Sequence, residues 1–345
     1  MKVALDAMGG DFAPEMTIAG AVEAVKEYDI EVILVGDRQR LTDSLSSKRY
    51  PSQQISIVHS SEVVTMNESP SSALRKKKDS SIKVAVELVK NNLADAAVSA
   101  GNSGVAMATS LFILGKLPNV DRPAIATIMP SLTGFFVLID AGANVDSKPD
   151  NLLQFAYMGN AYCKALFNVP EPKVALLSIG EEDTKGNELT KETFKLLKHA
   201  GINFTGNIEG KDIFSGTADV IVCDGFIGNI VLKVSEGLAE TVIKMLKREV
   251  MSAATAKLGY LMLKPAIRNF RKRTDYDEYG GAPLLGINGS CIISHGRSSS
   301  KAIKNAIRVS SEMAKQKVHE MIAQTLGDYA NRKAMGNRQK QGDGL

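Results

Sequence analysis

Six small residues, Ser99-Ala100-Gly101-Asn102-Ser103-Gly104, follow the apolar run Ala96-Ala97-Val98 and precede a long uncharged helical pattern. A small-residue turn at a helix N-terminus frees main-chain N–H groups. These carry the positive end of the helix dipole and favour an oxyanion such as phosphate. Comparable turns follow four other apolar runs, at Asp6 to Asp11, Asp140 to Asn144, Gly180 to Glu188 and Asp224 to Asn229. One such turn alone reads simply as a turn, because Gly and Asn are the usual turn residues. Two lysines accompany them. Lys185 lies in a Gly-flanked loop, and Lys233 is four residues beyond Asn229, so those two share a helix face. Lysines and free N–H groups together neutralise a phosphate and a developing oxyanion; each lysine alone reads equally well as a solvated surface charge. His295, between Ser294 and Gly296, is either a satisfied buried histidine or a donor to a phosphate or carbonyl oxygen.

The elements that must position these residues alternate. Strands are predicted at Val3-Ala4-Leu5, 32–35, ending at Val98, at 125–129, 135–139, 174–177 and 220–222. Helices are predicted at 14–28, 81–93, 103–116, 151–167, 187–199, 228–250 and 300–326. Ser131 to Gly134 reads as a hairpin turn. Ile303, Ile307, Met313, Val318 and Met321 give the last helix one apolar stripe. Continuous apolar strands alternating with helices predict an α/β fold, a three-layer α/β/α sandwich around a mostly parallel sheet. Ligands of such sheets bind at the carboxyl ends of strands, so a parallel sheet would bring all five turns to one edge. The expected organisation is one domain over 1–327, with a projecting helical segment at 239–275 and a disordered polar tail at 328–345.

Composition narrows the function. Aromatic residues are only 6%, with no tryptophan, and the net charge is +4, which argues against a base-stacking or DNA-binding module. Cys163, Cys223 and Cys291 are too far apart for a disulfide framework or zinc site and read as small buried residues in a reducing cytosol. Asp6 and Asp11 interrupt the N-terminal apolar run too early for a signal peptide. The uncharged stretch 96–115 carries a polar turn that would be costly in lipid. No dinucleotide fingerprint, nucleophile elbow or His-Glu-x-x-His is present. Gly206 to Asp212 approaches a phosphate loop only with wrong spacing and Asp for Ser or Thr. No cofactor or metal is expected.

The turns, taken with Lys77-Lys78-Asp79-Ser80-Ser81, Lys185-Gly186-Asn187-Glu188, Gly280-Gly281-Ala282-Pro283-Leu284-Leu285-Gly286 and His295-Gly296, cover residues 1 to about 320 in order. In these segments the chain resembles the bacterial acyl-ACP:phosphate acyltransferases of phospholipid synthesis, the PlsX family. The resemblance implies that long-chain acyl-ACP and inorganic phosphate give acyl phosphate and free ACP. It also implies a fold like isocitrate dehydrogenases and phosphotransacetylases, a homodimer, and a cytoplasmic protein associated peripherally with the membrane. There a membrane acyltransferase passes the acyl group to glycerol 3-phosphate. Phosphate is then expected on Gly101, Asn102, Ser103 and Gly104, with Asn144, Gly186 and Asn187 as polar neighbours. Lys185 and Lys233 supply charge, Asn229 or His295 polarises the carbonyl, and Asp6 and Asp140 orient loops. Rival readings are a phosphate acetyltransferase on acetyl-CoA, an NAD-dependent dehydrogenase of the same fold, and a non-catalytic acyl- or ACP-binding regulator.

Two surface segments have double readings. Arg75-Lys76-Lys77-Lys78 is a solvated helix approach or a docking patch for acidic ACP. Leu258, Tyr260, Leu261, Met262 and Leu263, ringed by Lys and Arg, are buried dimer packing or a peripheral membrane tip whose cations meet anionic lipid.

Overall fold

The computed structural model describes residues 1–252, 259–260, 263–265, 267 and 276–342. One eleven-stranded sheet runs in the order β3-β2-β1-β4-β11-β10-β5-β6-β9-β7-β8. Its N-terminal half holds β1 (Lys2–Asp6), β2 (Glu31–Gly36), β3 (Ile55–His59) and β4 (Ala96–Ser99). Its other half holds the hairpin β5 (Ala124–Ser131) and β6 (Gly134–Ile139), with β7 (Val174–Ser178), β8 (Phe204–Glu209) and β9 (Val220–Val222). Two short strands, β10 (Ala282–Leu285) and β11 (Cys291–Ile293), come from late in the chain and insert between β4 and β5. All pairings are parallel except β10 with β11, β10 with β5, and β5 with β6.

The central strands are apolar on both faces because helices cover both. One face packs on α1 (Glu15–Glu27), α6 (Pro149–Phe167) and α9 (Ser300–Lys315), with Val3, Leu5, Val137, Ile139 and Ile303 all fully buried. The other face carries two separate cores. Ala4, Ala97, Leu284 and Ile293 lie beneath α4 (Ser81–Lys90) and α5 (Ser103–Leu114). Phe136, Leu138 and Ile221 lie beneath the start of α8 (Gly225–Ser252). Between these cores Ile125 and Thr127 of β5 are only half-buried.

Several expectations change. The apolar stripe of 300–326 belongs to two helices, because Lys317 takes a left-handed φ of 52° and ends α9. The break lets Val318, Ile322 and Leu326 of α10 (Val318–Gly342) enter the core against α6. The tail expected to be disordered from 328 is helix through Gly342. Tyr329 packs on Tyr157 with ring centres 5.2 Å apart, and Lys333 pairs with Asp150 at 3.1 Å. Periodicity also misses β3, β8, β10, β11, α2 (Arg38–Ser46) and α3 (Pro70–Lys76); α7 (Glu188–Lys198) sits where predicted.

Candidate active site

Strand direction decides which turns can meet. β1, β4 and β11 run one way. The β5–β6 hairpin reverses the chain, so β6, β9 and β7 run the other way. The five turns therefore do not converge on one edge, as a fully parallel sheet would require. The turns after β1 and β4 lie at one edge with the segment after β11; those after β6, β7 and β9 lie at the opposite edge. The two edges come close at the middle of the sheet. β10 pairs with β11 through Ala282 and Pro283 and with β5 through Leu284 and Leu285. Three residues along a strand separate the levels of Ser99 and Ala124, about 10 Å at ~3.3 Å per residue.

At the first edge, Asp6 is buried and accepts from Ser99 Oγ (2.7 Å) and Met8 N (3.3 Å). Burial pushes its carboxyl above the ordinary range, against the pull of these hydrogen bonds. Asn102 caps α5, with Oδ1 accepting from Val105 N at 3.1 Å, while its Nδ2 donates to the carbonyls of Met66 (2.8 Å) and Glu68 (2.9 Å). Its side chain thus straps the 62–70 loop down and leaves the exposed Ser103 beside it. Gly101 N donates to Ser99 Oγ, and a Cβ on Gly104 would sit 3.2 Å from Pro70. The loop after β11 joins here, with Asp11 N donating to Gly296 O at 2.8 Å. His295 is exposed rather than buried, and its Nδ1 accepts from Arg297 N at 3.3 Å.

At the opposite edge, the Asp140 carboxylate accepts from the main-chain N–H groups of Ile125, Gly142, Ala143 and Asn144 and from Asn144 Nδ2. Burial nonetheless raises its pKa. Asn144 Nδ2 also donates to Pro123 O at 2.8 Å, so this side chain is committed to the loop. The start of α8 lies against that loop: Gly225 N donates to Asn144 O at 2.7 Å, and Asp224 Oδ1 accepts from Phe226 N and Ile227 N. Asn229 is exposed about 3.5 Å from where a Cβ on Gly142 would stand, and its amide makes no hydrogen bond among the described residues. Lys233 is exposed and pairs with Glu236 at 3.2 Å.

Lys185, Gly186 and Asn187 lie in the turn after β7, at the same edge of the sheet as the Asp140 and Asp224 turns. Asn187 caps α7 by accepting from Thr190 N at 2.9 Å, and Lys185 folds over Gly180. Among the described residues they make no hydrogen bond or ion pair with Asn144 or Asn229. Sequence reasoning also misses two cations at the second edge, Lys116 and Arg122. With Met107, Leu111, Ala143 and Asn144 they line a cleft of about 540 Å³.

The cysteines offer no nucleophile. All three are buried, which pushes the Cys163 and Cys291 thiols up to about 12 and about 11 and Cys223 well above its ordinary value.

Residues 1–321 match the family model described as "Fatty acid synthesis protein". A phosphate acyltransferase of Thermodesulfovibrio yellowstonii is 61% identical over 332 residues, 96% of each chain. The chain belongs to the phosphate acyltransferase family. A Geobacter sulfurreducens phosphate acyltransferase is 52% identical to this acyltransferase over 94% of each chain. In fold the acyltransferase is similar to a phosphotransacetylase of Streptococcus pyogenes, with TM-score 0.64 and 19% identity over 91% of this chain and 94% of that one. The α/β class and mostly parallel sheet expected from the sequence are therefore those of the acyltransferase. Enzymatic relatives over nearly its whole length exclude a purely binding role.

Of the docking patch, Arg75, Lys76 and Lys78 are exposed, whereas Lys77 is half-buried and pairs with Glu68 at 2.6 Å. Tyr260 and Leu263 are exposed; Leu258, Leu261 and Met262 lie outside the described residues. Among the described residues no helix is long and apolar enough to cross a membrane.

Proposed function

We propose that this acyltransferase moves a long-chain acyl group from acyl-ACP to inorganic phosphate, forming acyl phosphate for phospholipid synthesis and releasing ACP. The observation that carries the reading is the cleft between α5 and the Asp140–Asn144 loop. Its α5 wall is apolar, with Met107 and Leu111, and suits an acyl chain. Its other side is polar, with Lys116, Arg122 and Asn144, and suits an anion and a thioester carbonyl. Phosphate is largely ionised near neutrality and needs positioning more than a strong base. It attacks the carbonyl carbon, and the electron pair of the broken C–S bond leaves on sulfur. No acyl-enzyme is needed, in keeping with three buried thiols.

In this reading Asn229 polarises the carbonyl beside the Asp140–Asn144 loop, and Lys233 supplies charge. The Gly101–Gly104 turn and His295 serve the far end of the cleft. Lys185 supplies further charge, and the Gly186–Asn187 turn supplies polar groups, from the turn after β7. Arg75, Lys76 and Lys78 receive acidic ACP, which would make ACP binding salt-sensitive. An exposed apolar stripe on α8, Ile230, Val234, Leu238 and Val242, supports a homodimer. Exposed Tyr260 and Leu263 support a peripheral membrane tip, from which a membrane glycerol-3-phosphate acyltransferase would collect the product.

Incubation with palmitoyl-ACP, acetyl-CoA or NAD, each with phosphate, tests the reading. Acyl phosphate from palmitoyl-ACP is expected; acetyl phosphate alone, or reduced nucleotide, would replace it with one of the rivals. Lys185→Ala should abolish most turnover with the melting temperature kept, and near-normal turnover would remove Lys185 from the site.

A further inference from the structure

We propose that Arg122 and Lys116 grip a phosphate oxyanion at one end of the cleft, a role that rests on the acyltransferase reading above. Both border the cavity beside the Asp140–Asn144 loop. Lys116 Nζ donates to the main-chain oxygen of Asp121 at 2.8 Å. That acceptor is uncharged, and Lys116 has no ion-pair partner among the described residues. Arg122 Nη1 meets Asp146 Oδ1 at 2.8 Å, but the Asp146 side chain is 78% exposed. Solvent-screened pairs of this kind are weak, and a more highly charged phosphate competes well for a guanidinium that binds oxyanions through two parallel N–H groups. The Asp121 carboxylate also borders the cavity, with Oδ2 accepting from Gln154 Nε2 at 3.2 Å.

The backbone holds both cations in place. On one side of Arg122, Asp121 N donates to Gln154 Oε1 at 2.8 Å; on the other, Pro123 O accepts from Asn144 Nδ2 at 2.8 Å. Lys116 is fixed by Leu117 N to Gly286 O and Asn288 N to Gly115 O, both 3.0 Å. Gly286 itself has a φ of 86°, and a Cβ there would meet the end of Met158 at 3.0 Å. The last glycine of the Gly280–Gly286 segment thus sets the Lys116 side of the cavity. Charged groups on an anchored backbone are the arrangement that preorganised anion binding requires.

The oxyanion is either inorganic phosphate or the phosphodiester of the arm that carries the acyl thioester, and kinetics separate them. In full-length Arg122→Ala and Lys116→Ala, the KM for one partner should rise about tenfold or more while the other stays within twofold. A rise for phosphate assigns the substrate anion, and a rise for acyl-ACP assigns the carrier's phosphodiester. Arg122→Lys, which keeps the charge but not the fork, should fall between and guards against a misfolded alanine variant. Asp146→Asn separates binding from a structural ion pair, because the proposal expects KM at or below the wild-type value. Both KM values within twofold of wild type in the two alanine variants, or an Asp146→Asn defect equal to that of Arg122→Ala, would overturn the proposal. Wild-type protein that makes no acyl phosphate would instead sink the acyltransferase reading; phosphate titration followed by 31P NMR would still test the two cations.

Discussion

Gly228 shows how finely the second edge is fitted. A Cβ there would stand 1.8 Å from the Asp140 carbonyl oxygen, so α8 and the Asp140–Asn144 loop approach each other only because the side chain is absent. Gly228→Ala should destabilise the protein by about 1–3 kcal/mol and lower turnover as the loop is displaced. Gly327→Ala, a helical position with open space around it, should instead stabilise by about 0.5–1 kcal/mol. Urea midpoints compare the two, and equal effects would remove the crowding argument. The Asp224–Asn229 segment was readable as a turn and helix start, because Asp and Gly favour such places. Its close-approach role was not, since the partner oxygen lies far back in the sequence. Asn102 is similar: an asparagine before an apolar helix announces a cap. Nothing local announces that its Nδ2 also holds two carbonyls of the aperiodic 62–70 loop.

At the scale of elements, that strap has its own electrostatic anchor. Lys77, together with Thr65 N–H, holds the Glu68 carboxyl at about 2, well below its ordinary value near 4.5. A depressed carboxylate contributes its stability above the ordinary value and loses it as pH falls toward the folded one. Protection of the Thr65 amide against hydrogen exchange should therefore fall as pH drops from about 4.5 toward 2. Glu68→Gln should flatten that dependence, and wild-type protection constant across this window would show that the ion pair does not hold the loop. Long periodic helices and apolar strands were legible because burial on both faces demands continuous apolar residues. β10 and β11 were not: one has four residues including Pro283, the other three, too short for periodicity to register. The α9–α10 break escaped notice because its apolar stripe continues past Lys317 with no glycine or proline to mark the turn.

For the whole molecule, the α8 stripe offers a test of assembly. Leu238 is 62% exposed in the single chain, between Val234 and Val242 on the same face. In the homodimer proposed above, Leu238→Lys should give a folded monomer in sedimentation equilibrium; a monomeric wild type, or an unchanged dimer, would remove α8 as the interface. The relation between the two halves was the least legible feature. The hairpin itself was predicted, yet its reversal of β6, β7, β8 and β9 relative to β1 and β4 shows only once the sheet order is known. The late insertion of β10 and β11 also bears on biosynthesis. β4 and β5 emerge from the ribosome long before Ala282–Ile293, so the nascent polypeptide carries two bare strand edges until translation is nearly finished. Messages truncated upstream of codon 282 should consequently yield a product that aggregates edge to edge, and full-length synthesis should benefit from chaperones that shield those edges.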